Sequence, residues 1–164
     1  MSERVTVRAA RPADHARVGE LTVEVYVDGG LVPPASTYVA TLRDAAARAA
    51  KAELLVAELD GELAGAVAYC PPDSPYAELA GPDEAEFRML AVLDRAQGRG
   101  VGRALVQACL DRARAAGLSG LRLSTQDNMT GAHRLYERMG FVRTPERDWA
   151  PVPGLTLLTY RLAL

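Results

Sequence analysis

Apolar residues recur along the chain with two periods, and the places where the period changes mark out its elements. Residues Arg4 to Ala10 alternate, with Val5 and Val7 on one side, which predicts a strand; Pro12 follows where a helix can begin. Val18, Leu21 and Val25 fall at helical spacing, and Gly29-Gly30 ends that helix. An Ala-rich stretch from about Ser36 to Ala50, after Pro33-Pro34, predicts a second one. Leu54 to Leu59 and Glu62 to Tyr69 flank Asp60-Gly61, a pair that tolerates the positive φ angles of a two-residue hairpin turn. Pro71 to Asp83 holds Pro71, Pro72, Pro75 and Pro82 and has no period, so it reads as a long surface loop of the kind that often carries function. Glu86 to Leu93 then has the apolar density of a central strand, and Gly100 to Ala116 predicts a helix ending at Gly117. Leu121 to Thr125 follows as a short strand. Ala132, Leu135, Tyr136 and Met139 share one helical face that stops at Gly140, before the apolar Phe141-Val142, and Leu155 to Leu162 predicts the last strand. This order predicts a mixed α/β layout with helices packed on a central sheet.

Composition narrows the class. The chain has 164 residues, 49% hydrophobic and 24% charged, with a formal charge of −2. A chain of this length buries about 70% of the surface its unfolded form exposes, so it folds without disulfide or metal staples. No Gly/Ser linker and no repeat divides it, which predicts one domain over residues 1–164. The absence of any block of like charge argues against disorder and against a basic arm for nucleic acid. Apolar runs are broken well before the about 18 residues that a membrane span needs, and the N-terminus MSERVTVRAARPAD carries charges where a signal peptide needs an apolar core. A cytoplasmic protein with no membrane partner is expected. Cys70 and Cys109 lie far apart with no CxxC pair, which predicts buried free thiols and no metal site.

The segment Leu90-Ala91-Val92-Leu93-Asp94-Arg95-Ala96-Gln97-Gly98-Arg99-Gly100-Val101-Gly102-Arg103 predicts a buried strand, a short turn, and glycines opening a helix. The first helical turn leaves backbone N–H groups unpaired and carries partial positive charge, so a phosphate can bind where no side chain blocks the backbone. Gly98, Gly100 and Gly102 remove those side chains, and Arg95, Arg99 and Arg103 offer charge-assisted contacts. The plain alternative is a tight turn with solvated arginines. A Rossmann turn needs G-x-G-x-x-G in the first βα unit, and a P-loop needs G-x-x-x-x-G-K-[ST]; neither spacing is present.

Gln97-Gly98-Arg99-Gly100-Val101-Gly102, after Leu90-Ala91-Val92, resembles the Q/R-x-x-G-x-G/A motif of the GNAT superfamily of acyl-CoA-dependent N-acyltransferases. Leu135-Tyr136-Glu137-Arg138-Met139-Gly140-Phe141 resembles that family's L-Y-x-x-x-G-F ending. The resemblance covers nearly the whole chain. It implies a mostly antiparallel, V-split mixed sheet of about seven strands flanked by about four helices. It further implies acetyl-CoA as co-substrate, its pantetheine arm between the strands around Leu90, Ala91 and Val92 and around Leu121 to Thr125. The pyrophosphate would rest on the amides of Gln97 to Gly102, next to Arg103. Many members carry Asn seven residues before the motif tyrosine; that register holds Met129 here, with Asn128 one residue further back, so Asn128 is carried over as a departure from the pattern. Homodimers are common in the family, and no stretch specifies an interface.

The reaction implied is direct attack of a primary amine, on a small molecule or peptide, on the thioester. A backbone N–H in the strand Leu90 to Val92 is the family's donor to the developing oxyanion. Tyr136 stands at the general-acid position, and a phenol with an ordinary pKa of about 10 stays protonated at neutral pH. A lysine side chain is neutral roughly once in 2,500 at pH 7, a penalty of about 4.6 kcal/mol, whereas an α-amine near 8 loses only about 1.4 kcal/mol. Glu86, on the strand leading to the acetyl site, is the candidate base, directly or through a water. His133 is expected to be a bystander on the flank of the Tyr136 stripe. The acids Asp73, Glu78, Asp83, Glu84 and Glu86 would favour a cationic amine if they faced the cleft, and Tyr38, Tyr76 and Trp149 would line it. Two rival readings stand beside the acetyltransferase: a module that holds acyl-CoA without turnover, and an unrelated nucleotide-binding domain.

Overall fold

The computed structural model describes residues 4–164; Met1 to Glu3, part of the charged N-terminal stretch, lie outside the described residues. Its strands are β1 (Val5–Ala9), β2 (Glu53–Leu59), β3 (Glu62–Cys70), β4 (Glu84–Val92), β5 (Gly120–Gln126), β6 (Val142–Arg143), β7 (Trp149–Val152) and β8 (Leu155–Ala163). Its helices are α1 (His15–Val23), which runs on as a π-helical turn over Glu24–Asp28, then α2 (Tyr38–Arg43), α3 (Ala45–Lys51), α4 (Val101–Ala115) and α5 (Thr130–Arg138). The strands form one sheet in the order β1-β2-β3-β4-β5-β8-β6, with β7 paired to β8. Only β4 and β5 run parallel among the described pairs.

Local chemistry accounts for most boundaries. Asp60 and Gly61 take φ angles of 52° and 89°, and so close the β2–β3 hairpin in two residues. The helix predicted as one piece from Ser36 to Ala50 is two, because Asp44 leaves helical geometry (ψ 70°) and its carboxylate accepts the Ala47 N–H at 3.0 Å. An N-cap inside the alanine-rich run thus restarts the helix. Arg48 then reaches back, donating to the Thr41 carbonyl at 2.8 Å and to Thr22 Oγ1 at 3.3 Å, and fastens α3 to α2 and α1. The short strand β7 contains Pro151 and pairs only with β8, an edge position where a missing N–H costs little.

Helices cover both faces of the sheet. Phe87, Leu105, Cys109, Leu121, Leu123, Tyr136 and Phe141 form the core under α4 and α5, while Leu21, Tyr26, Leu42, Met89 and Leu93 pack on the other side under α1 and α2. Gly65 brings α4 onto the sheet: a Cβ there would stand 2.8 Å from the Ala91 carbonyl and 3.0 Å from Val101 Cγ1. β4 changes phase halfway along. Ala85 and Phe87 face α4, but Met89 takes a φ of 56°, after which Leu90 faces α4 and Ala91 turns to the opposite side. The pairing shows the same bulge, since Ala66 opposes Ala91 and Ala68 opposes Arg88, leaving two residues of β4 against one of β3.

Candidate active site

The bulge sits where the sheet splits. β4 pairs with β5 from Glu84↔Gly120 to Phe87↔Leu123 and no further, while β5 continues on β8 to Gln126↔Leu157 and β4 continues on β3. Beyond Phe87 and Leu123 the two strands therefore part, and the β4 backbone on that side has no strand partner. The π-helical turn supplies Tyr26, whose buried hydroxyl donates to the Leu90 carbonyl at 3.0 Å and fixes the bulged strand from above. Burial drives the Tyr26 hydroxyl pKa far up, so it remains a donor.

Two cavities open from this fork. The larger, of ≈ 1110 Å³, runs along the glycine-rich turn and is lined by Leu90, Val92, the turn from Asp94 to Gly98, the start of α4, and the face of α5 bearing Gly131 and Leu135. The smaller lies on the other side, between β4 and β5, and only ≈ 20 Å³ of it is wide enough for a water-sized group. Met129 contributes to the walls of both, beside the fork.

The turn has the geometry of an anion cradle. Gly98 and Gly100 take φ angles of 75° and 83°, and nothing lies within 4 Å of a Cβ built on either. Gly100 is the N-cap of α4, so the amides of Val101, Gly102 and Arg103 point out of the first turn without intrahelical partners. Gln97 acts through its side chain, donating to the Val92 carbonyl at 3.0 Å and holding the turn against the strand. Arg95 and Arg103 line the groove; Arg95 also pairs with Glu62 at 3.7 Å on the surface. Asn128 and Met129 both border it, so the residue at the register of the family's asparagine and its neighbour lie on the same wall.

Tyr136 is 1% exposed and, like Glu86, borders neither cavity; it packs edge-on to Phe87 and Phe141 and tilted against Tyr160, with ring centroids 5.9 Å apart in each case. Burial raises its hydroxyl pKa well beyond the phenol range, and the nearby Tyr26, Cys109 and Tyr160 add to the rise. Glu86 is placed differently from the expectation of a base at the acetyl site. It is 0% exposed and borders neither cavity, and its Oε1 accepts the N–H groups of Glu78, Leu79 and Ala80 at 2.9, 2.7 and 3.1 Å. This carboxylate pins the loop of residues 71–83 to β4; burial lifts its pKa although the three amides oppose that.

The expectation of an acidic acceptor cleft is overturned. Glu84 is clamped by Arg122 at 2.8 Å and Arg161 at 2.7 Å, Asp83 accepts from Ser119 Oγ, and none of Asp73, Glu78, Asp83, Glu84 or Glu86 borders the smaller cavity. Burial works against a charged Glu84, yet the hydrogen bonds from Arg122, the Gly81 amide and Arg161 hold its carboxyl down at about 2. What borders the cavity is Arg88, with Tyr38 beside it. Burial raises the Tyr38 hydroxyl pKa while Arg88 pulls it back. Neither Tyr26 nor Arg88 was singled out by sequence reasoning. His133 is structural: its Nε2 lies 2.7 Å from the Gln126 carbonyl oxygen. Cys70 and Cys109 are buried free thiols, and burial raises both pKa values, that of Cys70 to about 12. Among the described residues no helix is long and apolar enough to cross a membrane.

The sequence profile of the acetyltransferase (GNAT) family matches residues 20–141. Mycothiol acetyltransferase of Sanguibacter keddieii is 38% identical over 112 residues, 63% of this chain and 34% of that protein. N-acetyltransferase 8F1 of Rattus norvegicus is 34% identical over 92 residues, 56% of this chain and 40% of that protein. The chain thus matches less than half the length of these curated relatives. The GCN5-related N-acetyltransferase of Kribbella flavida, 26% identical, superposes with a TM-score of 0.70 over 98% of each chain. The yncA protein of Salmonella typhimurium, solved with acetyl-CoA as its cofactor, shares the fold at 23% identity, with a TM-score of 0.70 over 98% of this chain and 94% of that one. With its profile matched from α1 to the end of α5 and both motifs seated beside the split sheet, the chain belongs to the acetyltransferase (GNAT) family.

Proposed function

We propose that this protein transfers the acetyl group of acetyl-CoA to a primary amine by direct attack across the fork. The observation that carries this reading is the pair of cavities that share Met129 as a wall, next to the bulge of β4: a long groove on the glycine-turn side and a narrow cleft opposite. The groove suits a long co-substrate whose pyrophosphate takes the amides at the start of α4, with Arg95 and Arg103 at its edge. Its thioester end then arrives where β4 has lost its β5 partner, so backbone N–H groups near Leu90 to Val92 are free to meet charge developing on the thioester oxygen. Tyr26 and the bulge hold that backbone in advance.

Tyr136 is the group we assign to the leaving sulfur. Its motif position supports the role, beside Leu135 on the groove wall; burial keeps the phenol protonated and also makes it a weaker acid. The amine proton is handled differently from the reading by sequence alone. Because Glu86 is held by three loop amides and borders neither cavity, it serves as the anchor of the loop; attack draws on the amine already neutral in solution, and the proton its nitrogen sheds as C–N forms and C–S breaks goes to water. The acceptor enters from the narrow side, which suits a small molecule. The assay is thiol release from acetyl-CoA with a panel of primary amines. Amine-dependent release supports transfer; binding of acetyl-CoA with no release from any amine favours the module that holds acyl-CoA without turnover.

A further inference from the structure

Acetyl transfer of itself makes no use of Arg88, yet this side chain stands at the centre of the acceptor cleft. It projects from β4 one residue before the bulge, is 7% exposed, and borders the cleft with Tyr26, Tyr38, Met89 and Gln126. Its guanidinium carbon lies 4.5 Å from the centre of the Tyr76 ring and 5.4 Å from that of Trp149, and Nη1 donates to the Tyr76 carbonyl at 3.0 Å. The group is thus oriented by two aromatic faces and one carbonyl, and a guanidinium keeps its charge even when buried.

Its ion pairing is loose. The single carboxylate within ion-pair range among the described residues is Glu78, at 3.9 Å on a side chain 48% exposed. Glu86, two residues back on β4, has its Oε1 occupied by three loop amides, and its Oε2 is buried without a hydrogen-bond partner and outside ion-pair range of Arg88. A second donor in the same cleft is also unsatisfied: Gln126 Nε2 is buried and has no hydrogen-bond partner among the described residues. A buried cation with one carboxylate held at 3.9 Å and a buried N–H with no partner line one narrow cleft, and an added acceptor would serve both.

We infer that the cleft takes a carboxylate, so that the acceptor is an amine carrying a carboxyl group close to its nitrogen, as in an α- or β-amino acid. This rests on the acetyl-transfer reading. Planar carboxylate matches the guanidinium fork, with Gln126 as the further donor. The placement fits as well: Arg88 stands one residue before the bulge and borders the same cleft as Met129, so an anion on Arg88 holds a nearby amine on the side of the fork. A lysine side chain on a protein surface has no carboxylate at that distance.

Trp149, the chain's single tryptophan, reports on Arg88 whether or not turnover occurs. The test titrates the protein, saturated with acetyl-CoA, with the standard amino acids and their decarboxylated counterparts (tyrosine and tyramine, histidine and histamine), reading Trp149 emission and thiol release together. The expected result is that at least one amino acid shifts Trp149 emission and is acetylated with a KM about ten- to a hundredfold below that of its decarboxylated partner. In Arg88→Lys that KM advantage falls by about tenfold or more while acetyl-CoA affinity stays unchanged. Tyr38→Phe, which keeps the ring in place, guards against a folding defect in the first variant: its KM for the amino acid rises less, and its circular dichroism matches the parent. Carboxylate-dependent emission changes without thiol release leave the cleft assignment standing and contradict acetyl transfer. Thiol release from simple amines at the same KM as from amino acids leaves transfer standing and overturns the cleft assignment. Silence of both readouts towards every carboxylate-bearing amine overturns it too.

Discussion

Tyr136, Glu84 and Glu86 are all buried, and their neighbours give each a different task. Tyr136 is held by ring contacts with Phe87, Phe141 and Tyr160, which a phenylalanine would keep. Tyr136→Phe should therefore fold normally and bind acetyl-CoA as before, with kcat lowered by about a hundredfold; steady-state thiol release checks this, and an unchanged kcat removes Tyr136 from the reaction. Glu86→Gln should leave kcat within about threefold, with kcat/KM still rising with pH along the acceptor's own titration, since no carboxylate relays the proton. A fall of a hundredfold in a well-folded variant would restore Glu86 as the base. Glu84 concerns stability. Its folded-state pKa of about 2 lies below the ordinary 4.5, so the stability it contributes is complete above pH 4.5 and is lost as the pH falls towards 2. That contribution is at most about 3 kcal/mol, and Glu84→Gln should lower the denaturant midpoint at neutral pH and flatten its decline on acidification. Tyr136 was legible because it stands in a motif. Arg88 was not, since a charge two residues from Glu86 on a strand reads as one more polar position, and only the parting of β4 and β5 makes it a cleft residue.

The turn before α4 and the bulge in β4 show which elements a sequence discloses. Glycines at Gly98 and Gly100 are needed for φ angles of 75° and 83°, a local requirement that leaves a local mark. Gly100→Ala meets no atom within 4 Å but forces a left-handed residue, so it should cost about 1 kcal/mol of stability and weaken acetyl-CoA binding by displacing the first amides of the helix; thermal unfolding with and without acetyl-CoA separates the two effects. Gly65→Ala should instead cost more in stability, because its Cβ would press on the Ala91 carbonyl and the α4 side chains. The bulge leaves no such mark. It depends on Met89 at a φ of 56°, a conformation that no residue type in Phe87 to Ala91 announces. The division of the second helix was readable in principle, from Asp44 three residues before the Ala47 amide it caps, but alanine propensity masks the signal.

Across the whole molecule, the order of elements predicted helices packed on a central sheet, and the resemblance to the family supplied its split; a parallel β4–β5 pair joined through α4 suits a strand, a helix and a strand in that order. Two details escaped: the short edge strand β7, whose Pro151 reads as a break, and the side of the sheet on which the acids lie. The second bears on the proposed acceptor cleft, which Arg88 borders and those acids do not. The central claim is that the groove between the glycine-rich turn and α5 holds acetyl-CoA with its thioester at the fork. Isothermal titration calorimetry of the purified protein against acetyl-CoA, CoA, ATP and NAD tests this most directly. The account predicts saturable one-to-one binding of acetyl-CoA and CoA, and much weaker or no binding of ATP and NAD, which lack the pantetheine arm. Binding of ATP or NAD in preference to the CoA species, or no binding of either CoA species, would contradict it.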